Sequence, residues 1–330
     1  MSLLHTPASL YPRLLGDVGG TNARFAWLNE AGAEIGEIAS YPCAEQTSLQ
    51  AAINKYLGDH GKSSPPACAI GIATPVVRDR VSMTNHHWSF SIAQLKAELA
   101  LERLAVLNDF TALALSLPAL QDFQLHQIGG GQRTPNEALA VLGAGTGLGV
   151  SGLLPTSGGQ YAAIAGEGGH ATLAALNAEE FAVLDWLRRR FGHASAERAL
   201  SGPGLVNLYQ ASAELAGRTA QPLSPAQVIA AAREQQDPDC LAALDLFFSF
   251  LGSFAGNLAL TQGARGGLYI GGGIVPRLLP ELKASRFRAC FEAKGRFAPY
   301  LADVPTYVID SAVSPALIGA ARALDAQPTG

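Results

Sequence analysis

The sequence is short of cysteine and of charge. Four cysteines stand among 330 residues, at Cys43, Cys68, Cys240 and Cys290, and no two form a C-x-x-C pair. That spacing signals neither a zinc site nor a redox pair, and single scattered thiols in a chain of this size are expected to be reduced and buried, as in a cytosolic protein. Charged residues make up 15% of the chain, the formal net charge is −4, and there is no run of Lys or Arg. A basic surface for nucleic acid is therefore not expected. The opening stretch MSLLHTPASLYPRLL lacks a basic start, and His5, Pro7 and Pro12 interrupt its apolar run, so a signal peptide is not expected either. Long apolar runs are almost absent. One segment of spanning length, residues 241–260, carries Asp245 near its middle together with Ser249, Ser253 and Asn257. A carboxylate there costs roughly 2.5–3.5 kcal/mol on insertion. The segment reads as a helix buried in a protein core, and no membrane association is expected.

What the chain has is apolar mass and glycine. Hydrophobic residues make up 48%, which suits a folded core rather than disorder, and the length allows two domains. In the first third, strand-like runs at 14–16, 23–28, 67–73 and 103–107 alternate with helical patterns at 48–57 and 91–99. Ser91 and Gln94 have capping-box spacing. This alternation predicts an α/β domain with a largely parallel sheet. Residues 121–136, rich in Gly, Gln and Pro and without clear period, read as the domain boundary. Further strands are predicted at 138–142, 149–154 and 161–165, with a turn at 157–159. Helix starts follow at Asn177, with Glu180 at its third position, at Ser224-Pro225, at Asp237-Pro238 and at Ser314-Pro315. A strand at 267–270 runs into Gly271-Gly272-Gly273. The stretches LLGDVGGTNARFAW (14–27) and VLGAGTGLGVSGLL (141–154) echo each other as strand, glycine turn with threonine, strand, and suggest two similar hairpins, one per domain.

The first glycine turn, Gly16-Asp17-Val18-Gly19-Gly20-Thr21-Asn22, is not a P-loop, because no G-K-[ST] follows, and it lacks G-x-G-x-x-G. Glycines let backbone amides close on an anion, and Thr21 and Asn22 add donors. Asp17 would repel a bare phosphate but makes sense with a cation such as Mg²⁺ between them, directly or through water. An ordinary hairpin with a structural Asp is the alternative. The second turn, Gly143 to Gly149 with Gly145, Thr146 and Gly147 at its centre, suits phosphate contact or simple flexibility. The third, Gly271–Gly273, would admit a nucleobase or ribose against backbone. Asn108-Asp109 ends an apolar strand and precedes a helix. Ligands gather beyond the carboxyl ends of strands in open α/β sheets, so Asp109 can be a general base with Asn108 fixing substrate, or a helix cap. GEGGH (166–170) sets Glu167 and His170 three apart without the H-E-x-x-H zinc pattern, which favours hydrogen bonding. Glu197, in SAER, lies at a helix start that favours a carboxylate. His86, His87, His126 and His193 read as structural or surface residues.

Six motifs in this order and spacing, GDVGGTNAR, LNDFTALA, GAGTGLG, GEGGH, SAERALSGPGLVNLY and GGIVPR, resemble the bacterial ATP-dependent glucokinases over residues 14 to 322. The resemblance implies a two-domain α/β fold of the actin-like ATPase (ribonuclease H-like) type with an interdomain cleft. The expected division is a small α/β domain of residues 1–120 with about 312–330, and a large one of 121–311. By the same resemblance, Gly16 to Asn22 and Gly145 to Gly147 contact phosphates, Gly271 and Gly272 approach adenosine, and Asp17 holds Mg²⁺ through water. Asp109 would be the base, with Asn108, Glu167, His170 and Glu197 on sugar hydroxyls. The implied reaction is phosphorylation of D-glucose to glucose 6-phosphate by Mg·ATP, the first step of glycolysis, in a cytoplasmic homodimer. Two competing readings fit less well. A non-metabolic actin-like ATPase has no use for the five polar sugar-site residues, and a silent sugar sensor would be marked by a DNA-binding extension or a replaced base. The cysteine-rich zinc motif of the sister repressors and sugar kinases is missing after His170, where the sequence reads ATLAALNAEE.

Overall fold

The computed structural model of the chain describes residues 10–84 and 86–326; His5 and Pro7 of the opening stretch lie outside them. The chain divides into two compact units, one running to Leu120 and resuming at Ser311, the other Gln121–Asp310. In the first, β1 (Arg13–Val18), β2 (Asn22–Leu28), β3 (Gly36–Pro42), α1 (Leu49–Asp59), β4 (Ala67–Ile72), β5 (Arg80–Ser82), β6 (Ser89–Ser91), α2 (Ile92–Glu98), β7 (Arg103–Asn108) and α3 (Asp109–Ser116) follow in order. The second holds β8 (Leu125–Ile128), β9 (Leu139–Ala144), β10 (Leu148–Pro155), β11 (Tyr161–Ala165), α4 (Ala178–Phe191), α5 (Gly202–Leu215), α6 (Pro225–Ala230), α7 (Pro238–Gln262), β12 (Gly267–Gly271), α8 (Leu279–Ala284), α9 (Phe287–Glu292), α10 (Ala298–Ala302) and β13 (Thr306–Ile309). The last helix, α11 (Pro315–Ala326), returns to the first unit.

The sheets are mixed, not largely parallel. In the first unit the order is β3-β2-β1-β4-β7; the β1–β2 and β2–β3 pairs are antiparallel and the β1–β4 and β4–β7 pairs parallel. The reason lies in the connections: the turn after Val18 is far too short for a crossover helix, whereas α1 and α2 supply crossovers to β4 and β7. The second unit repeats the pattern as β11-β10-β9-β12-β13, with β8 added antiparallel at the edge. The echo between residues 14–27 and 141–154 therefore marks equivalent hairpins in two sheets of one topology. Five strands, β3, β5, β6, β8 and β13, escape the sequence patterns. β3 is an edge strand whose side chains are mostly outside the core, and β8 lies within the stretch 121–136 that lacks hydrophobic period.

Alternation along β1 sorts its side chains to two faces, as the strand period of two requires. Leu14 joins Phe25, Ile53, Tyr56 and Ile70 beneath α1, while Leu15 joins Ala26, Ala69, Leu317 and Leu324 beneath α11. Arg13, Leu15 and Asp17 thus read out along α11 from its end to its start. Arg13 is fully buried, donates from Nη1 to the Ala321 carbonyl at 3.1 Å and pairs from Nη2 with Asp325 at 2.8 Å. Arg103 Nη1 donates to the Leu324 carbonyl at 2.8 Å. Two cations therefore meet the carbonyl end of one helix, where the helix dipole favours positive charge.

In the second unit α7 runs through the core, with Phe247, Phe250 and Leu251 fully buried. This helix is long and apolar enough to cross a membrane, yet 72% of its most apolar stretch is buried inside the protein, and Asp245 pairs with Arg286. The expected caps form at Asn177, Ser224 and Asp237, and Ser48, read as part of the first helix, caps it. Ser91 caps α2, but the reciprocal half of its box does not form: Gln94 donates to Glu98 at 2.7 Å instead. All four cysteines are free and buried.

Arg13→Met keeps most of the apolar stem but leaves the Ala321 carbonyl and Asp325 without their partner. It is expected to cost about 2 kcal/mol, read as a shift in the urea unfolding midpoint with the slope unchanged.

Candidate active site

In the first unit Val18, Ile72 and Asn108 stand in one row across the parallel strands β1, β4 and β7. Gly19 and Asp109 therefore lie just beyond the carboxyl edge of the sheet, two strand spacings or about 10 Å apart. The first glycine turn is closed by the Gly19 N–H on the Asn22 carbonyl at 2.9 Å. Cys43 holds it from one side: its N–H donates to the Thr21 carbonyl at 2.8 Å and its thiol to the Gly19 carbonyl at 3.5 Å. Gly16 and Val18 are buried in the sheet, so of the seven expected residues Asp17, Gly19, Gly20, Thr21 and Asn22 are the ones that reach the surface.

Asp17 has two partners that the sequence reading missed. Its Oδ2 accepts from the Ser314 hydroxyl at 2.7 Å and from Arg24 Nη1 at 3.2 Å. Arg24 was legible in principle, because a hairpin through residues 19–21 sets Arg24 opposite Asp17. Ser314 stands before the last helix, as expected, and its hydroxyl also reaches Asp17.

Asn108, not Asp109, caps α3. Its Oδ1 accepts from the N–H groups of Phe110 at 2.9 Å and Thr111 at 3.3 Å. That assignment turns the Nδ2 donor end of the amide away from the helix. Asp109 is the first helical residue, partly exposed, with Oδ1 accepting from the Phe110 N–H at 3.0 Å. The positive end of the helix dipole favours a carboxylate at that position.

The second unit gathers Glu167, His170 and Glu197 around the start of β10. Glu167 and His170 are exposed on a short turn in which the His170 N–H meets the Glu167 carbonyl at 3.0 Å. That turn lies flat on the strand because Gly169 has no side chain: a Cβ there would overlap the Leu148 carbonyl. The next residues run alongside the segment that carries Glu197. Leu173 N–H donates to the Ala194 carbonyl at 3.0 Å, Ala196 N–H to that of Ala171 at 2.9 Å, and Thr172 Oγ1 meets His193 Nε2 at 2.9 Å. Glu197 Oε2 in turn accepts from the Leu148 N–H at 2.9 Å.

The second and third glycine turns lie side by side. β9 and β12 are parallel neighbours, with Gly143 opposite Gly271. A Cβ on Gly143 would stand 2.6 Å from the Gly271 carbonyl carbon, and one on Gly272 2.5 Å from the Ala144 oxygen. Thr146, Gly272 and Gly273 are exposed next to this contact. Each unit thus presents a turn of backbone amides and a set of polar side chains, Asn108 and Asp109 in the first, Glu167, His170 and Glu197 in the second. Such a set can hold hydroxyls and an anion and accept a proton. Among the described residues no group of three His, Cys, Asp or Glu is arranged to hold a metal ion.

A family model described as Glucokinase matches residues 14–327. A protein named Glucokinase from Aromatoleum aromaticum is 52% identical over 316 residues, which cover 96% of this chain and 95% of that protein. The crystal structure of glucokinase from an Antarctic psychrotroph matches with a TM-score of 0.88 at 38% identity, covering 96% of this chain and 99% of its own. The crystal structure of a ROK family glucokinase from Streptomyces griseus in complex with glucose and AMPPNP matches with a TM-score of 0.64 at 18% identity, covering 94% and 98%. At that identity the likeness is one of fold, the actin-like fold of sugar kinases.

Gly169→Ala forces the turn of Glu167 and His170 off β10 and is expected to cost about 2 kcal/mol or more. Gly166→Ala, with open space around its added methyl, is expected to stay within about 0.5 kcal/mol. Denaturant titration of the pair checks both.

Proposed function

We infer the reaction of this chain from one premise: it belongs to the glucokinase family. The chain phosphorylates D-glucose at the 6-hydroxyl with ATP, giving glucose 6-phosphate and ADP. The observation that carries the assignment of residues is the cap at Asn108. Because Asn108 caps α3, Asp109 stands at the first helical position beyond the sheet edge, where the positive end of the helix favours its ionised form. There it serves as the general base. Its oxygen accepts the 6-hydroxyl proton as O6 forms a bond to the γ-phosphorus and the bond to the β,γ-bridging oxygen breaks, with the electron pair leaving on ADP. Asn108 Nδ2 orients the sugar. Glu167, His170 and Glu197 take the remaining hydroxyls, and a polar site of this kind rejects sugars that lack a hydroxyl.

The amides of the two glycine turns receive the phosphates, and the turn at Gly271 and Gly272 receives adenosine. The donor set also fits Mg²⁺. Magnesium keeps most of its water and is held through one or two carboxylates plus substrate phosphates, and Asp17 is a lone carboxylate beside such a turn, steadied by Ser314 and Arg24. Asp17 would hold the ion through its water shell. When bound, Mg²⁺ supplies neutralisation of phosphate charge. The rest of the acceleration comes from positioning. Since Asp109 and Glu197 belong to different units, the two units must close on the substrates as a cleft, which also excludes water as a competing acceptor. A cytoplasmic homodimer is part of the same reading and rests on the family alone.

Asp109→Asn keeps the shape and removes the base. Turnover is expected to fall by about 10²–10⁴ with glucose affinity retained; wild-type turnover would overturn the assignment. Asp17→Ala is expected to depress kcat with Mg·ATP far more than it changes glucose affinity. A coupled assay that follows ADP and sugar phosphate together, run over a panel of hexoses and phosphate donors, tests the reaction itself.

A further inference from the structure

The second glycine turn is gripped at both ends by one short segment. At its start the Gly145 carbonyl accepts from the Gly202 N–H at 2.8 Å, and the Gly145 N–H closes the turn on the Gly147 carbonyl at 2.8 Å. At its far end the Leu148 N–H donates to Glu197 Oε2 at 2.9 Å. Glu197 and Gly202 belong to the same stretch, and Ser201 locks that stretch: its hydroxyl donates to the Glu197 carbonyl at 2.8 Å while accepting from the Gly204 N–H at 2.9 Å as the cap of α5. The fit leaves no slack, because a Cβ on Gly147 would overlap Glu197 Oε2. The amides of Thr146 and Gly147 lie between the two anchor points. A carboxylate spent on a backbone amide at the edge of a turn fixes the direction in which the preceding amides face, and an amide–carboxylate bond is among the stronger hydrogen bonds available for this.

We propose that Glu197 is a positioning residue for the second phosphate turn as well as a ligand of the sugar, so that one carboxylate shapes the binding sites of both substrates. Oε2 holds Leu148 and thereby the amides that meet phosphate, and Oε1 is the oxygen that faces the hydroxyl. The proposal rests on the reading of residues 145–147 as a phosphate site. It also accounts for the glycine at position 147 by a contact rather than by turn geometry alone.

The test is titration calorimetry of Mg·ADP binding in the absence of sugar, with thermal unfolding measured on each variant. Glu197→Gln keeps an oxygen acceptor for the Leu148 N–H but presents an amide donor to the sugar. It is expected to retain Mg·ADP affinity while losing glucose affinity. Glu197→Ala and Gly147→Ala remove the acceptor or displace it, and are expected to weaken Mg·ADP by about tenfold or more, the loss of one charge-assisted hydrogen bond. If Glu197→Ala fails to fold, Glu197→Asp, one methylene too short to reach, takes its place. Wild-type Mg·ADP affinity in the folded Ala or Asp variant would overturn the proposal. So would a Gln variant as weak as Ala, since charge and not the hydrogen bond would then be what was lost. A wild-type protein that binds no Mg·ADP would instead overturn the reading of the turn itself, and the proposal with it.

Discussion

Backbone that must pack directly against backbone cannot carry side chains at the point of contact, and this constraint organises the second unit. Gly143 and Gly272 let the ends of β9 and β12 abut, Gly169 lets the turn of Glu167 and His170 lie on the Leu148 carbonyl, and Gly147 leaves room for the Glu197 carboxylate. A Cβ at any of these positions would come closer to a neighbouring atom than real Cβ atoms do, so a single methyl is felt at each. The result is a surface made of amides and carbonyls, shaped by what is missing, with polar side chains brought to its margin. The price is paid in packing elsewhere: a large core around α7 stabilises a rim that contributes little apolar burial of its own.

The first unit builds its glycine turn with a lighter frame. Its turn is held by Cys43, which bonds two carbonyls of the turn through its amide and its thiol. Beneath the turn, strand alternation hands every second residue of β1 to α11. Arg13 receives the helix end, Leu15 packs on its middle and Asp17 takes the hydroxyl at its start. A residue proposed to act on the metal shell is therefore set by the same helix that closes the core of its unit. Stability and site geometry share one element here.

Much of this was legible. The two hairpins, their glycine turns, the helix starts at Ser48, Asn177 and Asp237 and the Asn108-Asp109 strand end all follow from local patterns, because each is decided within about ten residues. What was not legible depends on partners far away in the chain. The pairing of Ser314 with Asp17 spans 297 residues, and nothing near Ser314 distinguishes it from an ordinary cap before proline. Arg13 looks like a surface charge until α11 is placed over it. β8 lacks a hydrophobic period because it is an edge strand, and the mixed direction of the sheets depends on the connections rather than on the strands themselves. The cap moved by one residue, from Asp109 to Asn108, because asparagine and aspartate are equally good caps; the structure decides between them.

The return of α11 to the first unit has a consequence for biosynthesis. Domains tend to fold as units, and during translation in the order in which they are made. The first unit emerges early but lacks the helix that covers Leu15, Ala26 and Ala69, and that helix leaves the ribosome only after Gln121–Asp310 has been made. The second unit is continuous and can complete its core first. The nascent first unit must wait with an open apolar face, which ties the arrival of Ser314 at Asp17 to the last stage of synthesis.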